Sequence, residues 1–215
     1  FNRVLGDEGE LQLPVGQQHL VTSLNETTGG EDTILATGGF NVVVGGFAND
    51  RIVGEPGVTN SVNDPSLVVL GDNGQLTFNA NDLLTQVDTT SPCVGGDDDV
   101  LLANRDDIVL AGMGADTVNW DRNAGLFQGA GGGSDILVGD NGQLILVVDA
   151  TSSVLRRVTT THPECHGDDH LFSGNHDDLV IGGGGVDHVD TGLDEGADLV
   201  IGDSGDITLS ALAES

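Results

Sequence analysis

The sequence predicts an all-β chain whose short strands stack in parallel on two faces, with turns rich in glycine and aspartate along the edges. Three observations lead there. Residues 68–78 (VVLGDNGQLTF) return almost unchanged at 136–146 (ILVGDNGQLIL). Aspartates recur every nine residues, each followed two residues later by an aliphatic side chain. The 215 residues hold 34 Gly and 35 Asp+Glu, against 6 Lys+Arg, all of them Arg.

The long repeat comes first, because missing it would miscall the fold. VLGDEGELQL (4–13) and VIGDSGDITL (200–209) are further relatives of the opening stretch, and the Gly-Asp pairs start at Gly6, Gly71, Gly139 and Gly202. The chain therefore divides into three copies, 1–69, 70–137 and 138–201, with 202–215 opening a fourth. Each Gly-Asp motif is followed by an apolar stretch ending in threonines: HLVTSLNETT, LLTQVDTT and VLRRVTTT. Asp-Asn-Gly amid apolar alternation is a hairpin signal, so VVL and QLTF are expected to be its arms. The threonine stretch is expected to pair back toward the coils.

A short acidic motif (GGED, GGDD or HGDD) then starts the nine-residue rhythm. It runs through Asp32, Asn41 and Asp50, then Asp98, Asp107 and Asp116, then Asp169, Asp178 and Asp187. Asp135 and Asp198 open a further step toward the next Gly-Asp motif. About six residues of each unit are turn, where glycine permits positive φ, and three are β-branched or Leu strand. Two units make a coil of about 18 residues, with like turns stacked along each edge. Asp32 would then lie near Asp50, Asp98 near Asp116, and Asp169 near Asp187. One large apolar side chain per half-coil implies a thin core that needs help against chain entropy.

Composition says what that help is. The formal net charge is −29, which excludes nucleic acid or an anionic membrane as a partner because phosphates would be repelled. A hard divalent cation with oxygen ligands is the simplest neutraliser, and its binding would be coupled to folding. No 18-residue apolar run exists to span a membrane as a helix. No signal peptide is visible and the chain begins FNRVLGDEG, so it reads as a piece of a longer or processed chain.

The unit GGxGxDx(apolar)x resembles the nonapeptide of repeats-in-toxin (RTX) calcium-binding proteins. The long unit is similar to repeats of very large bacterial surface and secreted proteins. The resemblance implies parallel β-roll or β-solenoid coils holding several Ca2+ ions between turns, interrupted by β-hairpin insertions. It assigns ligand roles to Asp32, Asp50, Asp98, Asp107, Asp116, Asp135, Asp169, Asp178, Asp187 and Asp198, with Asn41 a neutral, weaker ligand. LANRDD (102–107) and LDEGAD (193–198) depart from the glycine pattern. The resemblance also implies an extracellular or cell-surface setting, where a Cys93–Cys165 disulfide is favoured over an intersubunit bond or free thiols.

Other motifs read more plainly. GDSG (202–205) matches a serine-protease motif by letters, but it is a copy of GDEG and GDNG, so Ser204 is a turn residue. HPECHGDDHLFSGNH (162–176) holds four His and a Cys, by default solvated loop residues, with a transition-metal site as the rival. Asp7, Asp72, Asp140 and Asp203 are turn stabilisers or further metal ligands. Trp120 and Phe127 are expected to cover an edge, and Asn25 opens a glycosylation sequon. The expected function is non-catalytic: a calcium-dependent stalk or filament segment of a surface adhesin, continued end to end by neighbouring repeats or identical subunits. The alternatives are an accessory module of a secreted enzyme, or a carbohydrate binder.

Overall fold

Val, Ile and Leu stand in runs of three or four between glycine-rich turns, too short to bury as helix and well suited to strand. The computed structural model is accordingly β throughout: among the described residues no helix occurs. It describes residues 2–36, 39–54, 67–102, 104–122, 124–127, 132–148, 151–193 and 196–209.

The chain alternates between sheets. β1 (Asn2–Leu5) opens a first parallel sheet, and β2 (Gly9–Gln12) and β3 (His19–Ser23) form an antiparallel pair. β4 (Thr33–Ala36) opens a second parallel sheet. The chain then steps to β5 (Asn41–Val44) in the first, β6 (Arg51–Gly54) in the second and β7 (Leu67–Leu70) in the first. The pattern returns with the antiparallel pair β8 (Gly74–Phe78) and β9 (Leu84–Thr89). β10 (Asp99–Leu101), β11 (Ile108–Leu110) and β12 (Thr117–Val118) then alternate between the parallel sheets. After a small excursion, β13 (Trp120–Asp121) with β14 (Leu126–Phe127), β15 (Ile136–Val138) rejoins the first sheet. The last round comprises β16 (Gly142–Val148), β17 (Ser153–Thr160), β18 (His170–Phe172), β19 (Leu179–Gly183), β20 (His188–Asp190), β21 (Leu199–Asp203) and β22 (Asp206–Thr208).

The first parallel sheet is ordered β1-β5-β7-β11-β15-β19-β21, and the second β4-β6-β10-β12-β18-β20. The antiparallel sheet is ordered β2-β3-β8-β9-β16-β17-β22. The first parallel sheet lies in the middle. Val42, Val44, Leu70, Leu110, Val138 and Ile181 pack with Leu76, Phe78, Val87 and Leu144 of the antiparallel sheet. The alternate residues Val43, Val69, Val109, Leu137 and Val180 pack with Ile52, Val100, Val118 and Leu171 of the second parallel sheet. A strand buried on both faces carries no polar alternation, which explains NVVV, LVVL and ILV. The expected thin core thus describes one layer only; the Gly-Asp segments supply a second.

Two expectations are corrected. VVL (68–70) and QLTF (75–78) are not hairpin arms: the first belongs to β7 in the parallel sheet, the second to β8 in the antiparallel sheet. GDNG is the corner between layers. The hairpin turn lies further on, where the Asn79 side chain accepts N–H bonds from Asn81 and Leu83 at 2.9 and 3.0 Å. The threonine stretch LLTQVDTT is its return strand β9, paired with β8 and with β16 of the next copy. It does not pair back toward the parallel sheets.

The loops before the acidic motifs stack on one another. Asn25, Ser91 and His162 share positive φ, and their carbonyls accept from Thr28, Val94 and Cys165 N–H respectively. The Asn73 amide donates to the Glu26 and Val94 carbonyls, and the Asn141 amide to those of Pro92 and Cys165. Cys93 occupies the third place of its loop and Cys165 the fourth. Their Cα atoms come to 5.0 Å across the stack, and the structure pairs them as a disulfide. Paired changes Cys93→Ser and Cys165→Ser are expected to cost about 2–4 kcal/mol in thermal unfolding. Equal melting points for the double variant and for wild type under oxidising conditions would show that no bond forms.

Candidate metal centre

Most turns end in an aspartate whose side chain points along the stack, because parallel strands in register put like positions over one another. In the first column, the Asp32 N–H donates to Asp50 Oδ1 at 2.8 Å, Asp50 N–H to Asp98 at 2.7 Å, and Asp98 N–H to Asp116 at 2.7 Å. Asp116 N–H then donates to Asp169 at 2.8 Å, and Asp169 N–H to Asp187 at 3.1 Å. On the opposite edge, Asp107 donates to Asp135 and Asp135 to Asp178, both at 2.8 Å, and Asp178 to Asp198 at 3.1 Å.

All eleven positions expected from the sequence therefore fall into two columns, but not equally. The second column is interrupted by Leu67, whose N–H donates to Asp107 Oδ1 at 2.7 Å. Asn41 lies beyond that break, accepting from the Asn2 amide at 2.8 Å and donating to Gly39 O at 2.9 Å. Among the described residues it meets no carboxylate there, and its neighbour in register is Asn2. LANRDD and LDEGAD stack despite their missing glycines, through Asp107 and Asp198.

Sequence reasoning missed a second layer of aspartates. In each Asp-Asp doublet the second Asp joins the column, and the first caps the following turn. Asp97, Asp106, Asp168 and Asp177 accept from the N–H of Ala115, Ser134, Val186 and Ala197, at 2.8–2.9 Å. The doublets GGDD, NRDD, HGDD and NHDD were the available signal. Three of the Gly-Asp aspartates have a third role, each clasping two turns. Asp7 accepts from Gly30 and Phe47, Asp72 from Gly96 and Met113, and Asp140 from Gly167 and Gly184.

The histidines of 162–176 go to different partners. His162 meets Glu164, His170 stacks on Trp120 and His188, and His176 accepts from Gly133 N–H. Among the described residues no three His, Cys, Asp or Glu side chains form a ready metal cage in this conformation.

The columns nonetheless suit a hard cation. Asp50, Asp98, Asp116, Asp135 and Asp169 are buried, and each leaves Oδ2 without a hydrogen bond. Carbonyl oxygens converge on the same places. A methyl group on Gly71 would lie 2.3 Å from both Asp98 Oδ2 and Ala111 O, and one on Gly139 2.3 Å from Asp169 Oδ2 and 2.4 Å from Gly182 O. Buried carboxylate oxygens beside turn carbonyls are the donor set that Ca2+ prefers.

Burial, opposed by the ladder bonds, raises Asp50 to about 7 and Asp169 to about 8. Asp98, Asp116 and Asp135 stand well above the usual carboxylate range, chiefly by burial and then by repulsion from neighbouring aspartates. Burial also lifts Asp72 to about 9 and Asp140 to about 6.

The family model described as RTX calcium-binding nonapeptide repeat (4 copies) matches residues 26–58 and 167–189. These segments contain Asp32, Asn41 and Asp50, and Asp169, Asp178 and Asp187. No curated protein and no solved structure matches the chain. In those two segments the chain is similar to RTX calcium-binding nonapeptide repeats. Asp98 and Asp116 lie in register between the matched segments, in the same column.

Two outcomes follow for the metal-free protein. Folded-state pKa values above the unfolded value of 3.8 give stability that is present at acid pH and lost as pH rises through about 6–9. Thermal melts in chelator are expected to be higher at pH 5 than at pH 8. Asp116→Asn keeps the acceptor for Asp98 N–H while removing a buried ionisable carboxyl. At pH 8 it is expected to stabilise the chelated protein by roughly 1–3 kcal/mol and to destabilise it in Ca2+. The same sign in both buffers would show that Asp116 does not meet the ion.

Proposed function

We propose that this chain is a calcium-dependent structural segment: a β-roll of three long repeats, 1–69, 70–137 and 138–201, with 202–215 opening a fourth. The observation that carries this reading is the pair of aspartate columns with buried, unbonded Oδ2 atoms in a chain of formal charge −29. Ca2+ between turns would be held by Asp50, Asp98, Asp116 and Asp169 in one column and Asp107, Asp135 and Asp178 in the other, with Asp32, Asp187 and Asp198 nearer the ends. The ion would supply positive charge where like charges otherwise face one another, so binding and folding are one process.

The segment acts as a rigid stalk or fibre outside the cell. Low cytosolic Ca2+ leaves such a chain unfolded for export, and extracellular Ca2+ folds it afterwards. Neighbouring repeats or identical subunits continue it end to end. At one end β20, β21 and β22 are edge strands of the three large sheets, with Leu199 and Val200 exposed at 46% and 45%. At the other, β1, β2 and β4 are the edges, with Leu11 and Leu35 exposed. Open edges and apolar side chains at both ends suit continued strand addition. The reading is non-catalytic: Ser204 sits at the corner between β21 and β22, in the place of Asn73 and Asn141.

Ca2+ titrated into chelator-treated protein is expected to raise far-ultraviolet β signal cooperatively, with Mg2+ ineffective. Light scattering that grows in the same titration marks self-assembly. Full β signal already present in chelator at pH 8 would remove the calcium role.

A further inference from the structure

The middle repeat carries an excursion that the fold alone does not require. After β12 the chain makes the short antiparallel pair β13–β14, in which Trp120 lies opposite Phe127 and Asp121 opposite Leu126. Its turn is closed by Gly125 N–H to Asp121 O at 2.8 Å and Ala124 N–H to Asp121 Oδ1 at 3.0 Å. The Trp120 ring stacks on His170 at 5.0 Å, anchoring the excursion to the outer face of the second parallel sheet. Arg122 sits in that closed turn.

Its guanidinium reaches the turn edge. Arg122 Nη2 donates to the carbonyl of Asp98 at 3.2 Å and to the carbonyl of Ala115, and Nη1 lies 3.5 Å from the Asp97 carboxylate. Two successive turns, 95–98 and 111–116, thus share one cation through three oxygens. A surface arginine in so acidic a chain has carboxylates on every side, yet two of these three contacts are backbone carbonyls at the step between turns. The guanidinium also attracts the buried carboxylates of Asp98 and Asp116. In the other copies, EPGVTNSVNDPS (55–66) and TGLDEGAD (191–198) follow the third nonapeptide and contain no basic residue.

We infer that Arg122 is a built-in cation for the turn stack, bridging the step between residues 95–98 and 111–116 in place of a divalent ion. This rests on the calcium reading above and adds that the stack has one step closed by the chain itself. Carbonyl and carboxylate oxygens from two turns are the kind of donor an inter-turn Ca2+ would take, and the Arg122 guanidinium donates to oxygens of that kind, Asp98 O and Ala115 O, without dissociating. The middle repeat is then the part that closes at the lowest Ca2+, with coils added outward from it.

The test is a Ca2+ titration of wild type, Arg122→Gln and Arg122→Lys, followed by far-ultraviolet circular dichroism. Arg122→Gln is expected to need roughly two- to fivefold more Ca2+ at half-folding, because a charged contact is lost, while reaching the same signal at saturation. Arg122→Lys, which keeps the charge, is expected to recover much of the shift. Coincident wild-type and Arg122→Gln curves would overturn the inference while leaving the calcium reading intact. A wild-type signal indifferent to Ca2+ would overturn both.

Discussion

Each buried column aspartate divides its two oxygens between opposite tasks. One accepts the backbone N–H of the adjacent turn and fixes the spacing between coils. The other is driven into the interior, where a carboxylate is costly unless a cation meets it. The rest of the architecture follows from this division. Strands must be parallel and in register, or the columns would not form. Turns must be glycine-rich where the column oxygen crowds the backbone, as at Gly71 and Gly139, where even a methyl group would collide. The chain must be acidic, since every coil repeats the requirement.

Two kinds of cohesion share the molecule. Between the middle parallel sheet and the antiparallel sheet lies an apolar layer of Phe78, Leu76, Leu110 and Leu144 that needs no ion. At the turn edges, cohesion depends on charge. The Gly-Asp corners join the two regimes. Asp72 and Asp140 each hold two turns while sitting where the chain passes from the parallel to the antiparallel layer. Asn73 and Asn141, one residue on, tie successive loops across copies. One dipeptide thus sets both the lateral and the axial register.

The columns were legible in the sequence because the nine-residue period is local: equal numbers of residues per half-coil bring Asp98 beneath Asp116 without knowledge of anything distant. The corner was not. Asp-Asn-Gly between apolar runs has the local chemistry of a hairpin, and only the burial of VVL on both faces decides that it belongs to a different sheet from QLTF. The second apolar layer was hidden for the same reason, since Leu70 lies beside Val44 and Leu110, both distant along the chain. The Asp-Asp doublets were visible but ambiguous, because the capping role of Asp97 appears only when the next turn stands above it. Arg122 acts from an excursion outside the repeat, and no periodicity points to it.

The pairing of Cys93 with Cys165 has a consequence for how such a segment would stretch. Interstrand hydrogen bonds run along the stack, so tension applied end to end peels coils one at a time. The 72-residue separation of the two cysteines corresponds to about 240 Å of extended chain. With the bond in place that length is withheld: force passes from one sulfur to the other and the enclosed coils carry none of it. A reducing environment would release it, so the length this chain can reach when pulled depends on the redox state of its surroundings.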